Sequence, residues 1–133
     1  MKNLLLAASF AAVMLLSGCG AVKTAADHGS GLSVEMKTGG QYRHVQLIRY
    51  ENGERVPDEN VVNADGSQFE DGEVIWFDIQ PGEWKETTAF ALSVSTDGTG
   101  VGARQTKPVE LKDGTSWAHA VFNDDGLTIE EAE

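Results

Sequence analysis

The sequence is poor in cysteine and in basic charge, and each shortage narrows what the chain can be. A single cysteine in 133 residues cannot form an internal disulfide, so the fold must be stabilised by packing alone. Ten lysines and arginines stand against 21 acidic residues, which gives a formal net charge of −11. Nucleic-acid binding and charge-driven docking on anionic lipid both need clustered cations. The composition therefore argues against both, and it favours basic partners or simply a well-solvated acidic surface.

Long apolar runs are also scarce, and the clearest one lies at the N-terminus. Lys2 gives a short positive start, and residues 4–16 then form an apolar run. This run is shorter than the roughly 20 residues that a membrane-spanning helix needs. It has the length and position of the hydrophobic part of a secretory signal peptide, which predicts export.

The only cysteine follows at the end of this run, in the sequence Leu16-Ser17-Gly18-Cys19. This motif resembles the lipobox of bacterial lipoproteins, which is a leucine, two small residues and a cysteine. The resemblance implies cleavage between Gly18 and Cys19, a diacylglyceryl group on the Cys19 thiol and an acyl group on its new amino terminus. Two or three acyl chains give durable anchoring, whereas one chain gives only marginal membrane binding.

The residue after the cysteine bears on the membrane that the resemblance implies. In that family an aspartate directly after the cysteine favours retention in the inner membrane, but this chain has Gly20 there. We therefore expect a lipid anchor in the outer membrane, with the protein facing the periplasm. Cleavage would remove Lys2 and leave 115 residues with a formal charge of −12.

The sequence divides into three parts. Residues 1–18 are the predicted signal peptide, and residues 19–31 are small and weakly patterned, which predicts a flexible tether from the lipidated Cys19. Residues 32–133 are long enough for one modest core and too short for two domains.

From residue 32 onward the pattern is that of β-strands. Phe90, Leu92 and Val94 alternate with polar or small residues, and Asn52-Gly53 is a strong hairpin signal because a type I′ turn needs positive φ at both positions. Pro57 limits the returning strand to a short edge strand. We predict an all-β fold, a small antiparallel β-sandwich of immunoglobulin-like or transthyretin-like kind with seven to nine short strands. The predicted strands are 32–36, 42–50, 54–56, 73–79, 87–96, 101–106, 107–112, 116–122 and 127–129, and residues 130–133 are expected to fray.

The residue types that carry most catalytic and metal chemistry are scattered. His28 lies in the tether, and His44 and His119 lie in strands without the spacing of a zinc site. We therefore expect no metal and no cofactor. A looser calcium site remains an alternative at residues 63–67 or 123–126, although neither loop fits the EF-hand pattern.

Nothing in the sequence supports nucleophilic catalysis. No Gly-x-Ser-x-Gly motif is present, and the resemblance implies that Cys19 is lipidated. Acidic residues are plentiful enough to supply the paired carboxylates of glycoside hydrolysis, but a β-sandwich of about a hundred residues suggests no deep cleft for a substrate. We expect a protein that is not an enzyme.

Tryptophans are the remaining candidates for a binding site. Trp76 and Trp117 lie inside predicted strands, which favours core positions. Trp84 follows a predicted turn at Pro81-Gly82, where burial is less assured. An exposed Trp84 would be a partner-binding candidate; the alternative is a tryptophan folded over the edge of the sandwich.

Two functions fit these expectations. The first is a protein-binding lipoprotein that serves as an accessory of an envelope or secretion assembly. The second is an acidic inhibitor or capture module for a basic secreted protein, such as a lysozyme. Acidic residues concentrated at one loop end would favour capture, and acidic residues spread evenly would favour assembly.

Overall fold

The computed structural model describes residues 24–133, which form two β-sheets packed face to face. This confirms the predicted all-β sandwich. The strands are β1 (Gly31–Lys37), β2 (His44–Glu51), β3 (Glu54–Val61), β4 (Glu73–Phe77), β5 (Thr87–Ser95), β6 (Arg104–Gln105), β7 (Val109–Glu110), β8 (Trp117–Asn123) and β9 (Gly126–Ala132), and the helices are α1 (Ala25–His28) and α2 (Pro81–Glu86).

Each sheet contains strands from both the early and the late part of the chain. The first sheet has the order β4-β1-β8-β9, and the second has the order β3-β2-β5-β6, with β7 also paired to β5. All pairs but one are antiparallel. The exception is β1 with β8, which run parallel from Gly31 opposite Trp117 to Lys37 opposite Asn123. Antiparallel hairpin chemistry predicted no such pair, because a parallel pair joins segments that are far apart in the sequence.

The first hairpin forms where the sequence predicts it. Asn52 and Gly53 have φ values of 53° and 83°, as a type I′ turn requires. The returning strand β3 is an edge strand, as predicted, but it has eight residues rather than three. Pro57 is accommodated because a β-bulge follows it, where the register shifts opposite Leu47.

The core lies between the sheets and is built by strand alternation. Phe90, Leu92 and Val94 of β5 are at most 2 % exposed, as their spacing predicts. They pack with side chains that alternate inward from the other sheet, including Leu32, Val34, Met36, Ile75, Phe77, Ala118, Ala120 and Phe122.

Two segments differ from the prediction near the ends of strands. The predicted turn at Pro81-Gly82 is the start of helix α2, which has proline at its first position and a capping box in which Gln80 N–H donates to the Glu83 carboxylate. The C-terminal tail is not frayed, because β9 continues to Ala132 and the backbone of Glu133 exchanges hydrogen bonds with Trp117.

The end of the predicted tether is also folded. Residues 24–30 include α1, whose Ala25 is fully buried, and His28 stacks on Trp76 with ring centroids 3.8 Å apart. The prediction of a flexible tether through residue 31 is therefore wrong for residues 24–31, because residues 24–30 pack on the outer face of the first sheet and Gly31 begins β1.

Candidate functional site

The lipidation motif lies outside the described residues. Gly18 and Cys19, the predicted cleavage and lipidation residues, both precede Thr24, where the description begins. Within residues 24–133 neither helix is long and apolar enough to cross a membrane.

Trp84 is not an exposed anchor. It lies on α2, is only 4 % exposed and belongs to the core cluster, which contradicts the exposed position that the partner-binding candidate required and agrees with the sandwich-edge alternative. The sequence predicted a turn here, but the chain forms helix α2, and Trp84 is the one residue of α2 whose side chain is buried. Its indole Nε1 is also buried and has no hydrogen-bond partner within the described part of the chain.

The other two tryptophans occupy the opposite kind of position. Trp76 and Trp117 are half-buried and lie on the outer face of the first sheet rather than in the core. Trp76 Nε1 donates to the carbonyl of Ser30 at 3.0 Å, and its ring supports His28. The expected core positions of Trp76 and Trp117 are therefore wrong, and Trp76 instead holds the N-terminal segment.

A cavity of about 610 Å³ opens at the end of the sandwich where α2 enters β5. Its volume is within the range of small-molecule pockets. Ile79 and Trp84 are buried and form its inner wall, whereas Lys85 and Lys112 are exposed and form its outer part. The remaining lining residues are Gly29, Ser30, Pro81, Thr87, Thr88, Asp113, Gly114, Thr115 and Ser116.

An arginine side chain is also enclosed near this end of the sandwich, on the side where β3 lies. Arg49 is 4 % exposed and points inward from β2, on the same face as Val45 and Leu47. Its guanidinium contacts three carboxylates: Nε to Asp58 at 2.5 Å, Nη1 to Glu51 at 2.7 Å and Nη2 to Glu83 at 3.7 Å. We call these four residues the Arg49 cluster.

Strand alternation places Asp58 in this cluster. Asp58 lies two residues after Val56, which is opposite Arg49, so it shares that face, and the bulge begins only where Asp58 and Glu59 together lie opposite Leu47. Burial alone would lower the pKa of Arg49, but its hydrogen bonds to Asp58 and Glu51 and the nearby negative charges raise it, so the guanidinium stays charged. The enclosed guanidinium of Arg49 is thus surrounded by three carboxylates.

A third arrangement joins a serine, a histidine and an acid, as hydrolytic sites do. Ser33 Oγ lies 2.7 Å from His119 Nδ1, and His119 Nε2 lies 4.0 Å from the carboxylate of Glu35. The Ala25 backbone N–H donates to the same Ser33 oxygen at 2.8 Å. Because Ser33 is fully buried and its oxygen is covered by α1, the group holds the N-terminal segment on the sheet and offers no surface to a substrate.

The remaining candidates lie apart. His28, His44 and His119 are in separate places, with His28 on Trp76, His44 against Gly100 and His119 on Ser33. No group of three or more histidine, cysteine, aspartate and glutamate side chains in residues 24–133 is arranged to hold a metal ion. In the two acidic loops, Asp65 and Asn123 instead accept hydrogen bonds from their own turns.

Sequence reasoning missed the Arg49 cluster and the Ser33–His119 contact for different reasons. Arg49 continues the inward alternation of Val45 and Leu47, so the sequence did carry a signal for a buried cation. Ser33 and His119 are 86 positions apart and meet only because β1 and β8 pair in parallel. No local pattern announces that contact.

No protein-family model, curated protein or solved structure matches this chain.

Proposed function

We propose that the protein is a lipid-anchored, non-enzymatic β-sandwich of the bacterial envelope that binds another envelope protein, as an accessory of an envelope or secretion assembly. The anchor would be lipid on Cys19, in the outer membrane and facing the periplasm. The observation that carries the binding proposal is the Arg49 cluster, where carboxylates are held in fixed positions at the surface.

The cluster suits a cationic partner because its acids are both ordered and accessible. The side chains of Glu51, Asp58 and Glu83 are 33 %, 28 % and 46 % exposed, although each contacts the enclosed Arg49. A carboxylate accepts up to about four hydrogen bonds, so the exposed oxygens keep capacity for lysine or arginine donors. Side chains already fixed by Arg49 would also lose little conformational freedom on binding.

The wider charge distribution supports assembly more than capture. In the second sheet Glu51 and Glu54 lie at one end, and Asp97 follows β5 at the other. In the first sheet Asp124 lies in the β8–β9 turn and Glu133 at the opposite end. Acidic groups at both ends differ from the single acidic loop end expected of a capture module.

The folded N-terminal segment supports a short connection to the membrane. Only five peptide units separate Cys19 from Thr24, where the described structure begins. A fully extended chain of that length spans at most about 18 Å. A lipid on Cys19 would therefore hold the domain close to the bilayer and restrict its partners to proteins at that surface.

The test is capture from envelope extract by the immobilised protein at low and high salt. We expect a bound protein whose recovery falls at high salt and falls in Glu51→Gln/Glu83→Gln, because screening and charge removal both weaken attraction to cations. Glutamine can still accept hydrogen bonds from Arg49, which favours a folded variant. Asp124→Asn/Asp125→Asn removes the same charge elsewhere and is the matched control.

Two results would contradict the proposal. Capture that responds to neither salt nor the cluster variant would show that the acids serve only solvation. Equal losses in the cluster variant and its control would show that net charge, and not the Arg49 cluster, attracts the partner.

A further inference from the structure

The cavity beside α2 contains a concentration of unpaired positive charge that the fold itself does not use. Among residues 24–133, the lysines without an ion pair or side-chain hydrogen bond are Lys85, Lys107 and Lys112, and two of these three line this one cavity. Asp113 also lines the cavity and offsets part of this charge.

The inner wall has the opposite character. Ile79 is 3 % exposed and Trp84 is 4 % exposed, so the cavity is apolar at its inner wall and cationic where it meets solvent. Binding pockets commonly combine such an apolar lining with a few charged groups that fix the orientation of the ligand.

Most other polar groups in the cavity already have partners inside the protein. The hydroxyl of Thr88 donates to Tyr50, that of Thr115 to Lys112 and that of Ser116 to Glu133, in each case to a backbone carbonyl. Within the described residues the ammonium groups of Lys85 and Lys112 have no such partners. These unused donors therefore suit a ligand with hydrogen-bond acceptors and negative charge.

We propose that this cavity binds a small anionic amphiphile, with a carboxylate or phosphate head between Lys85 and Lys112 and an apolar chain against Ile79 and Trp84. This site adjoins the Arg49 cluster, because Thr87 lines the cavity and accepts a hydrogen bond from Arg49, and because Lys85 shares α2 with Glu83, but neither lysine belongs to the cluster. It requires neither lipid on Cys19 nor a protein partner, so ligand binding and capture of an envelope protein are tested by different measurements and different variants.

The experiment is calorimetric titration of the full chain carrying Cys19→Ser, so that neither attached lipid nor detergent competes. The probes are octanoate and octyl phosphate, each below its micelle concentration, and uncharged octanol below its solubility in water. We expect at least one anion to bind more tightly than octanol, and the tighter anion identifies the head group. The indole N–H resonance of Trp84, assigned with Trp84→Phe, should shift on binding.

Charge variants at exposed positions distinguish the site from general attraction. Lys85→Gln and Lys112→Gln should each weaken anion binding by about 5-fold, the size of an exposed charge interaction, and leave octanol unaffected. Asp113→Asn should strengthen anion binding because it removes a repelling charge. Lys107→Gln, which removes an unpaired lysine outside this cavity, should change nothing.

The proposal is overturned if no probe binds at millimolar concentration. It is overturned equally if octanol and the anions bind alike, or if Lys107→Gln weakens the anions as much as the cavity variants do. Circular dichroism of each charge variant establishes that the fold is retained, which the exposed positions of all four substituted charged residues favour.

Discussion

Gly31 occupies the tightest backbone position at the start of β1. Its φ is +82°, and a Cβ atom there would overlap the Phe77 carbonyl oxygen and lie 2.8 Å from Trp76 Nε1. Gly53, in the first hairpin, has nearly the same φ of +83°, but a Cβ atom at Gly53 would meet no atom within 4 Å. Comparing alanine variants at these two glycines therefore distinguishes the free-energy cost of a left-handed backbone from that of a steric clash.

We expect Gly53→Ala to lower the free energy of unfolding by about 1–2 kcal/mol, the cost of a left-handed conformation. Gly31→Ala should lower it by a further ~1–3 kcal/mol, because the Phe77 backbone cannot move aside cheaply. Urea unfolding of both variants measures the difference. Equal losses would mean that β1 and β4 separate easily at this point.

Glu59 gives the protein a specific pH dependence. Burial raises the pKa of Glu59, and the charges of Asp58 and Asp78 raise it further, against a hydrogen bond from the Asp78 backbone that lowers it. The folded state therefore binds this proton more tightly than the unfolded chain. Its contribution to stability consequently declines as pH rises from the ordinary value of 4.5 through the raised folded value.

Glu59→Gln should then be more stable than the parent near neutral pH, because glutamine places no negative charge beside the carboxylates of Asp58 and Asp78. The gain should disappear below the ordinary glutamate pKa, where the parent is protonated in both states. Urea unfolding at neutral and acid pH measures it. Glu54→Gln removes the same charge from the first residue of β3, and an equal gain there would assign the effect to net charge instead.

At the scale of single residues, the sequence predicted strand interiors well and tryptophan positions poorly. Phe90 and Leu92 are buried as their alternation predicts, since every second side chain of a strand faces the core. Trp84, expected at a turn, is buried in the core, whereas Trp76, expected in the core, is half-buried on the outer face of the first sheet. The reason is that α2 turns Trp84 inward, while the covering of Trp76 depends on His28, a residue 48 positions away.

At the scale of elements, the N-terminal segment is a folded part of the first sheet's outer face. Ala25 is buried over Ser33 and His119, and α1 ends in Gly29 with the left-handed backbone that helix ends favour. A four-residue helix has no stability of its own. Its order therefore depends on tertiary contacts, which explains why composition alone predicted a flexible tether.

Ser33→Ala tests this dependence. The substitution removes the shared partner of the Ala25 N–H and His119 Nδ1, and a buried group left without a partner costs about 1–3 kcal/mol. We expect a loss of about 2 kcal/mol in stability and faster proteolysis and amide exchange within residues 24–30. Ser93→Ala, on β5 and without a side-chain hydrogen bond in the described part of the chain, is the matched control. Unchanged exchange in α1 would show that the His28–Trp76 stack alone holds the segment.

The hairpin and the sheets show which elements local chemistry can specify. Asn52-Gly53 specifies its turn because two consecutive positive φ values suit few other residues. The parallel pairing of β1 with β8 depends on contacts distant in the sequence, whereas the helix at Pro81 begins with a local proline and capping box that a turn reading overlooks. The all-β class was therefore predictable, and alternation indicated that Arg49 faces inward, but the acids that gather around Arg49 and the cavity beside α2 were not predictable.

At the scale of the whole molecule, the proposed lipid anchor lies only a few residues before the folded N-terminal segment. The described fold begins at Thr24, five positions after Cys19. An attached lipid would therefore connect to the outer face of the first sheet through a very short link. The domain would be held near the bilayer, even though the formal charge of −12 on the cleaved chain repels anionic head groups.

Cys19→Ser is the direct test of this arrangement. The variant should lose metabolic labelling with a fatty acid, because the thiol that accepts the diacylglyceryl group is gone, and it should leave the membrane fraction or remain unprocessed. Ser17→Ala keeps the small residue and the cysteine and is the matched control, which should retain label and membrane association. Label retained in Cys19→Ser would exclude the lipobox assignment. Loss of label with unchanged membrane association would show that something other than lipid holds the protein there, since two or three acyl chains are what makes such anchoring durable.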